Sequence, residues 1–332
     1  MNLPPEFISN IQNTFREAGY AFLEALPNSI EAASAKWSLA DVQPVSTLSF
    51  NFVAFAKLDQ GVWDKGEVKD VVLKMGVPNR EFLSELEALR LFHGEGACKL
   101  LAYDEEKYWM LLERLNPGVM LATLQDDEEA THIAADVMKK IWRPMESASS
   151  LADSQRKNSI QQHTLAGTRA AGLHKFIRLT DWFDGLKKLR PMFDGGTGPL
   201  DEQLVRRVER SVSDFFLENQ NPVLMHGDFH HYNILSSERG WLIIDPKGVI
   251  GPACYEVGPL LMNPWGELIN RTDRQQITKR RIDILHEHLG FERERIREWA
   301  LAHAVLSAWW GMEDQTGWEY AMAVAEILAD LY

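Results

Sequence analysis

The sequence predicts an α+β chain of two unequal parts, strand-rich in its first third and helix-rich afterwards. Three observations predict it. Short Val-, Thr- and Phe-rich runs crowd the region before residue 114, as expected of strands. Apolar residues recur at helical spacing over long stretches after it. Between the two, Asn116-Pro117-Gly118 is a strong turn signal where the character of the chain changes.

In chain order, Phe7, Ile8, Ile11 and Phe15 predict a helix over 5–25. The run 45–56 (VSTLSFNFVAFA) predicts one long strand or a bent pair. Gly61 and Asp64-Lys65-Gly66 mark a turn, and 67–75 (EVKDVVLKM) reads as the next strand. Gly76 and Pro78 end it, and Asn79 is placed to cap a helix over 80–93. Residues 107–113 (KYWMLLE) form another strand candidate. Beyond the turn, Ala130, Ile133, Ala134, Val137, Met138, Ile141 and Trp142 share one helical face. Leu204, Val205, Val208, Val212, Phe215 and Phe216 repeat the pattern, as do Ile296, Trp299, Ala300, His303, Leu306 and Trp310. The polar segment 143–170 reads as a loop region, and no internal repeat is visible. The expected division is a smaller part over 1–114 and a larger one over 115–332.

The chain has 332 residues, 45% hydrophobic and 25% charged, which excludes disordered and collagen-like classes. Lys and Arg number 35 against 48 Asp and Glu, a net charge of −13. Such a chain is a poor general binder of nucleic acid, because neutralising phosphates needs clustered cations. Cys98 and Cys254 are too few for a disulfide framework or a Cys-rich zinc site. No apolar run approaches a membrane span, and the start Met1-Asn-Leu-Pro-Pro lacks a signal-peptide layout. The expectation is a cytoplasmic protein that needs no membrane, as monomer or homodimer.

The densest polar cluster is 226–233, HGDFHHYN, followed by 242–248, LIIDPKG. Apolar strands deliver both. Asp228 and Asn233 have the D-x-x-x-x-N spacing of a kinase catalytic loop, and Asp245 follows a hydrophobic strand. Phosphoryl transfer needs a carboxylate to accept the proton of an attacking hydroxyl, and oxygen ligands to hold Mg²⁺ on nucleotide phosphates. Two other readings use the same residues. His226, Asp228 and His230 have spacings open to a metallohydrolase. A kinase-like binding protein without turnover would keep the pocket alone.

HGDFHHYNIL with IIDPKG resembles the aminoglycoside phosphotransferase family, most closely its streptomycin 6-kinase and hydroxyurea-resistance kinase branch. The resemblance follows the order of motifs over roughly 35–315 and is strongest over 224–264. It implies a protein-kinase-like fold of two lobes and a small-molecule O-kinase using ATP or GTP with Mg²⁺. By it, Asp228 is the catalytic base and Asn233 and Asp245 are the Mg²⁺ ligands, with Pro246-Lys247-Gly248 after the metal aspartate. His226 is then structural, and the roles of His230, His231 and Lys247 stay open.

Such a kinase needs a strand lysine on the phosphates and a helix glutamate to hold it. Lys74 stands amid the apolar run Val71-Val72-Leu73-Lys74-Met75. Glu81, Glu85 and Glu87 are the helix candidates. At ~100° per residue Glu85 lies ~60° from Phe82 and ~40° from Leu89, whereas Glu87 lies ~140° from Phe82. Glu85 is therefore the expected partner. The resemblance further implies that main-chain atoms of Glu113 and Leu115 bind adenine. The phosphate-covering stretch, Thr47 to Phe52, has no glycine, so Ser49 and Asn51 are expected to serve there. The acceptor, a hydroxylated and cationic small molecule, is expected to meet Glu256, Glu313 or Asp314, with Asn263, Trp309 or Trp310 nearby.

Overall fold

A computed structural model describes residues 3–59, 68–145, 176–218, 221–266 and 268–331. The Gly61 to Gly66 turn and most of the 143–170 loop expected above lie outside the described residues. The chain opens with helix α1, Pro5–Trp37. It runs twelve residues past the expected end and passes through Pro27. Leu26, Ile30, Ala33 and Trp37 continue the buried stripe there, so tertiary packing outweighs the proline penalty. The helix kinks at Arg16, whose backbone is non-helical (φ 51°, ψ −124°).

A five-stranded antiparallel sheet follows, from β1 (Leu39–Pro44), β2 (Asn51–Asp59), β3 (Val68–Gly76), β4 (Leu100–Asp104) and β5 (Trp109–Glu113), in the order β1-β2-β3-β5-β4. The structure corrects the expected strand over 45–56. Residues 45–50 are the connection between β1 and β2, and pairing resumes at Asn51. Strand β1 (LADVQP) has no buried residue and so carries no apolar alternation to recognise. Helix α2 (Arg80–Phe92) lies between β3 and β4 in sequence, and the Asn79 side chain caps it by accepting the Phe82 N–H at 2.8 Å.

The remainder is mostly helical: α3 (Asp127–Ile141), α4 (Leu179–Leu186), α5 (Leu189–Met192), α6 (Glu202–Glu218), α7 (Val257–Leu261), α8 (Arg274–Leu289), α9 (Arg293–Glu313) and α10 (Glu319–Ala329). Short strands are threaded through it. β6 (Pro117–Met120) pairs with β10 (Ile234–Ser237), which forms a hairpin with β11 (Gly240–Ile243). A second small sheet runs β7 (Arg143–Pro144), β9 (Val223–Met225), β12 (Val249–Gly251), β8 (Ile177–Arg178). The polar loops 226–233 and 244–248 issue from the ends of β9 and β11.

Two apolar clusters hold the fold. One packs α1 on the outer face of the five-stranded sheet through Phe7, Ile11, Trp37, Phe52, Leu73 and Met75. The other joins α2 and the inner face of β5 to the helical part, around Trp299, Trp309 and Tyr255. Successive side chains of a strand alternate between faces. Because Leu73 and Met75 face α1, Lys74 must face α2 and the loops beyond it. The α+β architecture expected from the sequence is the one observed.

Candidate active site

Lys74 is 4% exposed on β3. Its Nζ donates to both carboxylate oxygens of Glu85, each at 2.6 Å, and to Oδ1 of Asp245. Glu85 reaches it because α2 buries the face carrying Phe82, Glu85, Leu86 and Leu89. Glu81 is exposed, and Glu87 pairs instead with Arg90 at 2.9 Å. Burial pushes the Glu85 carboxyl up to about 7 against the pull of the Lys74 charge. Burial acts to discharge Lys74, but Asp245 and Glu85 outweigh it and its pKa is raised. Asp245 is likewise penalised by burial, yet Lys247 and Lys74 hold it well below the usual carboxylate range. Its backbone sits at φ 56°, a left-handed conformation that aspartate tolerates and that concentrates at functional sites.

The second loop is locked by buried polar groups. Glu256 is fully buried and accepts the N–H groups of His226 and Gly227, each at 2.8 Å. That corrects the expectation that Glu256 meets a substrate, because both oxygens face loop backbone inside the protein. Burial pushes its carboxyl up to about 7. His226 is buried, its Nε2 on the Ile244 carbonyl at 2.9 Å and its Nδ1 facing the Asp228 N–H at 3.2 Å. Burial lowers its pKa to about 4, so the ring is neutral and structural. Gly227 has φ 88°, and a Cβ there would stand 2.4 Å from Val249 Cγ2 and 3.1 Å from the Trp182 ring. The two loops are tied by Lys247 N–H to His226 O at 2.7 Å and Ile244 N–H to Asn233 O at 2.9 Å.

On this support Asp228 presents a side chain 39% exposed, with His230 Nε2 3.6 Å from Oδ1. Burial raises its pKa, but His230 and Lys247 more than offset that and hold it well below the usual range. Asp228 is therefore an anion at neutral pH, able to accept a proton only transiently. The Asn233 amide donates its nitrogen to the Asp228 carbonyl at 3.1 Å, which leaves its oxygen as the group to meet a cation.

The donor set fits Mg²⁺ held jointly with phosphate oxygens: one carboxylate, Asp245, and one amide oxygen, Asn233. It does not fit a protein-made metal cage. Among the described residues no group of three or more His, Cys, Asp or Glu is placed to hold an ion. His226 has both ring nitrogens engaged, and His231 is 2% exposed with its pKa lowered well below the usual value by burial and by Arg281. The metallohydrolase constellation does not form.

Some supports were not expected. Ser84, in the buried stripe beside Glu85, donates to the Gly248 carbonyl at 2.7 Å and accepts the Ile177 N–H at 3.3 Å, pinning α2 to the Asp245 loop. A polar residue inside an apolar helical stripe was the available signal. Gly248 has φ 65°, and a Cβ there would lie 2.5 Å from the Ser84 carbonyl oxygen. Gly248→Ala is expected to destabilise the protein by more than ~1 kcal/mol and to lower turnover, measured by denaturant unfolding and initial rates. Unchanged values in both would show that this close approach does not matter.

The other expected residues are more scattered. Glu113 spends its N–H on the Lys99 carbonyl at 2.9 Å, and its carboxylate on the Lys99 N–H and Arg239. Leu115 is buried. Ser49 is exposed in the β1–β2 connection, and Asn51 pairs with Gly76 at the start of β2. Glu313 forms an ion pair with Lys188 at 3.2 Å, and Asp314 is exposed at the end of α9, its pKa raised by burial and by Glu313. Asn263 is buried, donating to Pro259 O and offering its carbonyl to Arg281, and Trp309 is core. Trp310 is half-buried and meets Trp182 edge-on, 5.2 Å between centroids.

Tyr255 and His303 share a hydrogen bond of 2.8 Å beneath these aromatics. Burial lowers His303 to about 4 from an ordinary 6.5. The unfolded chain therefore binds this proton first, so the residue's contribution to stability is full above about pH 6.5 and is lost as pH falls toward 4. His303→Gln keeps an acceptor for Tyr255 and removes the titration. Within that window its unfolding free energy is expected to fall less steeply than wild type, by up to ~1.4 kcal/mol per pH unit. Denaturant unfolding at several pH values checks this, and parallel slopes would refute it.

Residues 36–171 and 162–315 match the family described as aminoglycoside/hydroxyurea antibiotic resistance kinase. The chain belongs to this family. It is a nucleoside-triphosphate-dependent phosphotransferase acting on a small-molecule hydroxyl. This kinase is 26% identical to a streptomycin 6-kinase of Streptomyces glaucescens, over 95% of its own length and 92% of that protein's. It is 28% identical to a hydroxyurea phosphotransferase of Kitasatospora aureofaciens, over 99% and 86%. Among solved structures it resembles an aminoglycoside phosphotransferase in ternary complex with ADP and hygromycin B, with a TM-score of 0.55, 13% identity and coverage of 90% and 97%. That likeness is one of fold. Among the described residues of the kinase no helix is long and apolar enough to cross a membrane.

Proposed function

We propose that this kinase moves the terminal phosphoryl group of ATP to a hydroxyl of a cationic, aminoglycoside-like small molecule. The observation that carries the reading is the meeting of Lys74, Glu85 and Asp245, far apart in sequence, at loops that also present Asp228 and Asn233. The nucleotide would lie between the part over 1–114 and the part over 115–332, its adenine against the main chain of 113–115 and its phosphates toward Lys74 and the Ser49–Asn51 turn.

Asp228 orients the acceptor hydroxyl and takes its proton as the new O–P bond forms. Lys74, held by Glu85, offsets charge on the phosphates. Mg²⁺ bound by Asp245 and Asn233 would neutralise phosphate charge when present. Glu256 keeps the Asp228 loop from moving by fixing two of its N–H groups. A cationic acceptor suits the −13 charge of the chain and the anionic Asp228. The relative named a streptomycin 6-kinase favours a streptomycin-like acceptor, and the one named a hydroxyurea phosphotransferase keeps hydroxyurea as a second candidate.

The test is to incubate the purified chain with MgATP and, separately, streptomycin and hydroxyurea, and to follow ADP release and the mass of the acceptor. A gain of one phosphoryl group on streptomycin, dependent on Mg²⁺, is expected. Phosphorylation of hydroxyurea alone would reject the aminoglycoside assignment, and nucleotide that neither binds nor turns over would reject the reading as a whole.

A further inference from the structure

The mechanism above uses one ammonium group, yet the same loops carry a second. Lys74 has little left to give. Its side chain is 5% exposed, and its three N–H donors face two oxygens of Glu85 and one of Asp245. Lys247 is differently placed. Its Nζ lies 3.6 Å from Oδ2 of Asp245, on the side opposite the oxygen that Lys74 takes. Its side chain is 28% exposed, against 5% for Lys74. Its root is rigid, because its own N–H is bonded to His226 O and the next residue, Gly248, is wedged under Ser84.

Charge also asks for it. Three carboxylates, Glu85, Asp245 and Asp228, face two ammonium groups, Lys74 and Lys247. A lysine ammonium is a cation at neutral pH. A polyanionic phosphate chain entering beside two aspartates needs a cation that is not already saturated. A separation of 3.6 Å from Asp245 is too long for a strong hydrogen bond, so this ammonium retains donors for a ligand.

We infer that Lys247 is a catalytic residue, a second cation that binds oxygens of the terminal phosphoryl group between Asp245 and Asp228. The inference rests on the kinase mechanism proposed above and extends it. In the transfer, the acceptor O–H bond breaks and its proton passes to Asp228. The acceptor oxygen bonds to phosphorus, and the bond from phosphorus to the bridging oxygen breaks, leaving the nucleoside diphosphate with that electron pair. Lys247 keeps its proton throughout and offsets charge on the phosphoryl oxygens. Lys74 remains the partner of Glu85 and of the inner phosphates.

A contact confined to the terminal phosphate has a signature that a structural role lacks. In full-length Lys247→Met and Lys247→Arg, the affinities for MgADP and for a magnesium complex of a non-hydrolysable ATP analogue would be measured with turnover and thermal midpoint. Lys247→Met is expected to weaken the triphosphate analogue about tenfold or more, leave ADP within about twofold, and lower kcat by about 10²-fold. Lys247→Arg, which keeps the charge, should recover part of both losses and guards against a folding defect in the methionine variant. Equal weakening of diphosphate and triphosphate would mean that Lys247 only orders Asp245, and would overturn the inference. Unchanged affinities and turnover would make it a solvated loop residue, with the same consequence. Failure of the wild-type chain to bind either nucleotide would instead bring down the underlying mechanism, and this inference with it.

Discussion

Asp228→Asn is expected to lower kcat by about 10²–10⁴-fold while leaving nucleotide affinity near wild type. The substitution keeps the size and hydrogen-bonding reach of the side chain and removes its capacity to accept a proton. Nothing else in the site need move. The loop is held by Glu256 on the N–H groups of residues 226 and 227, and by the Asn233 amide on the residue 228 carbonyl. None of these bonds uses the Asp228 carboxylate. The nucleotide half is likewise spared, because Lys74, Glu85 and Asp245 contact one another and not Asp228. Single-turnover transfer and equilibrium binding, measured on the same preparation, separate chemistry from affinity. Full turnover in the variant would remove Asp228 from the role of base.

Lys74→Met is expected to damage both turnover and stability. The lysine is buried among carboxylates, and its removal leaves Glu85, 4% exposed, without its partner. Breaking a buried pair from one side costs about 3–5 kcal/mol, because the remaining charge is left uncompensated. Here part of that cost is relieved by protonation, since burial already pushes Glu85 up to about 7. The double variant Lys74→Met with Glu85→Leu replaces the pair by apolar groups and is expected to recover most of the stability and none of the activity. Unfolding curves and initial rates for the two variants decide the matter. Wild-type turnover in either one would show that Lys74 does not act on the phosphates. A double variant no more stable than the single one would show that the instability has another source.

These two expectations draw on residues of unequal legibility. Asp228, Asn233 and Asp245 announce themselves by spacing, because two polar loops, each issuing from a short apolar strand, carry them at the D-x-x-x-x-N interval and just after a hydrophobic run. Lys74 is legible as a charge in an apolar strand, and Glu85 as the glutamate nearest the buried face of its helix. Glu256 points to a substrate from sequence alone and to backbone in the fold, for a physical reason. A carboxylate in a polar neighbourhood invites a ligand, but only the folded arrangement reveals that two backbone N–H groups already face it. The role of Ser84 is not legible locally, because its partners, Gly248 and Ile177, lie far along the chain. Strand β1 leaves no sequence signal because it is an exposed edge with no buried residue, and the second half of α1 is masked by Pro27, whose local penalty packing overrides.

The sequence by itself determined the α+β class and the chemical identity of the groups on the two polar loops. Those follow from local periodicity and composition, which a single chain segment already contains. The tertiary structure decided that Glu256 holds backbone and not substrate, and that Lys247 stands beside Asp245 with its side chain partly exposed. Those outcomes depend on the competition between burial and partner charge at each group, and that balance exists only once distant segments have packed together.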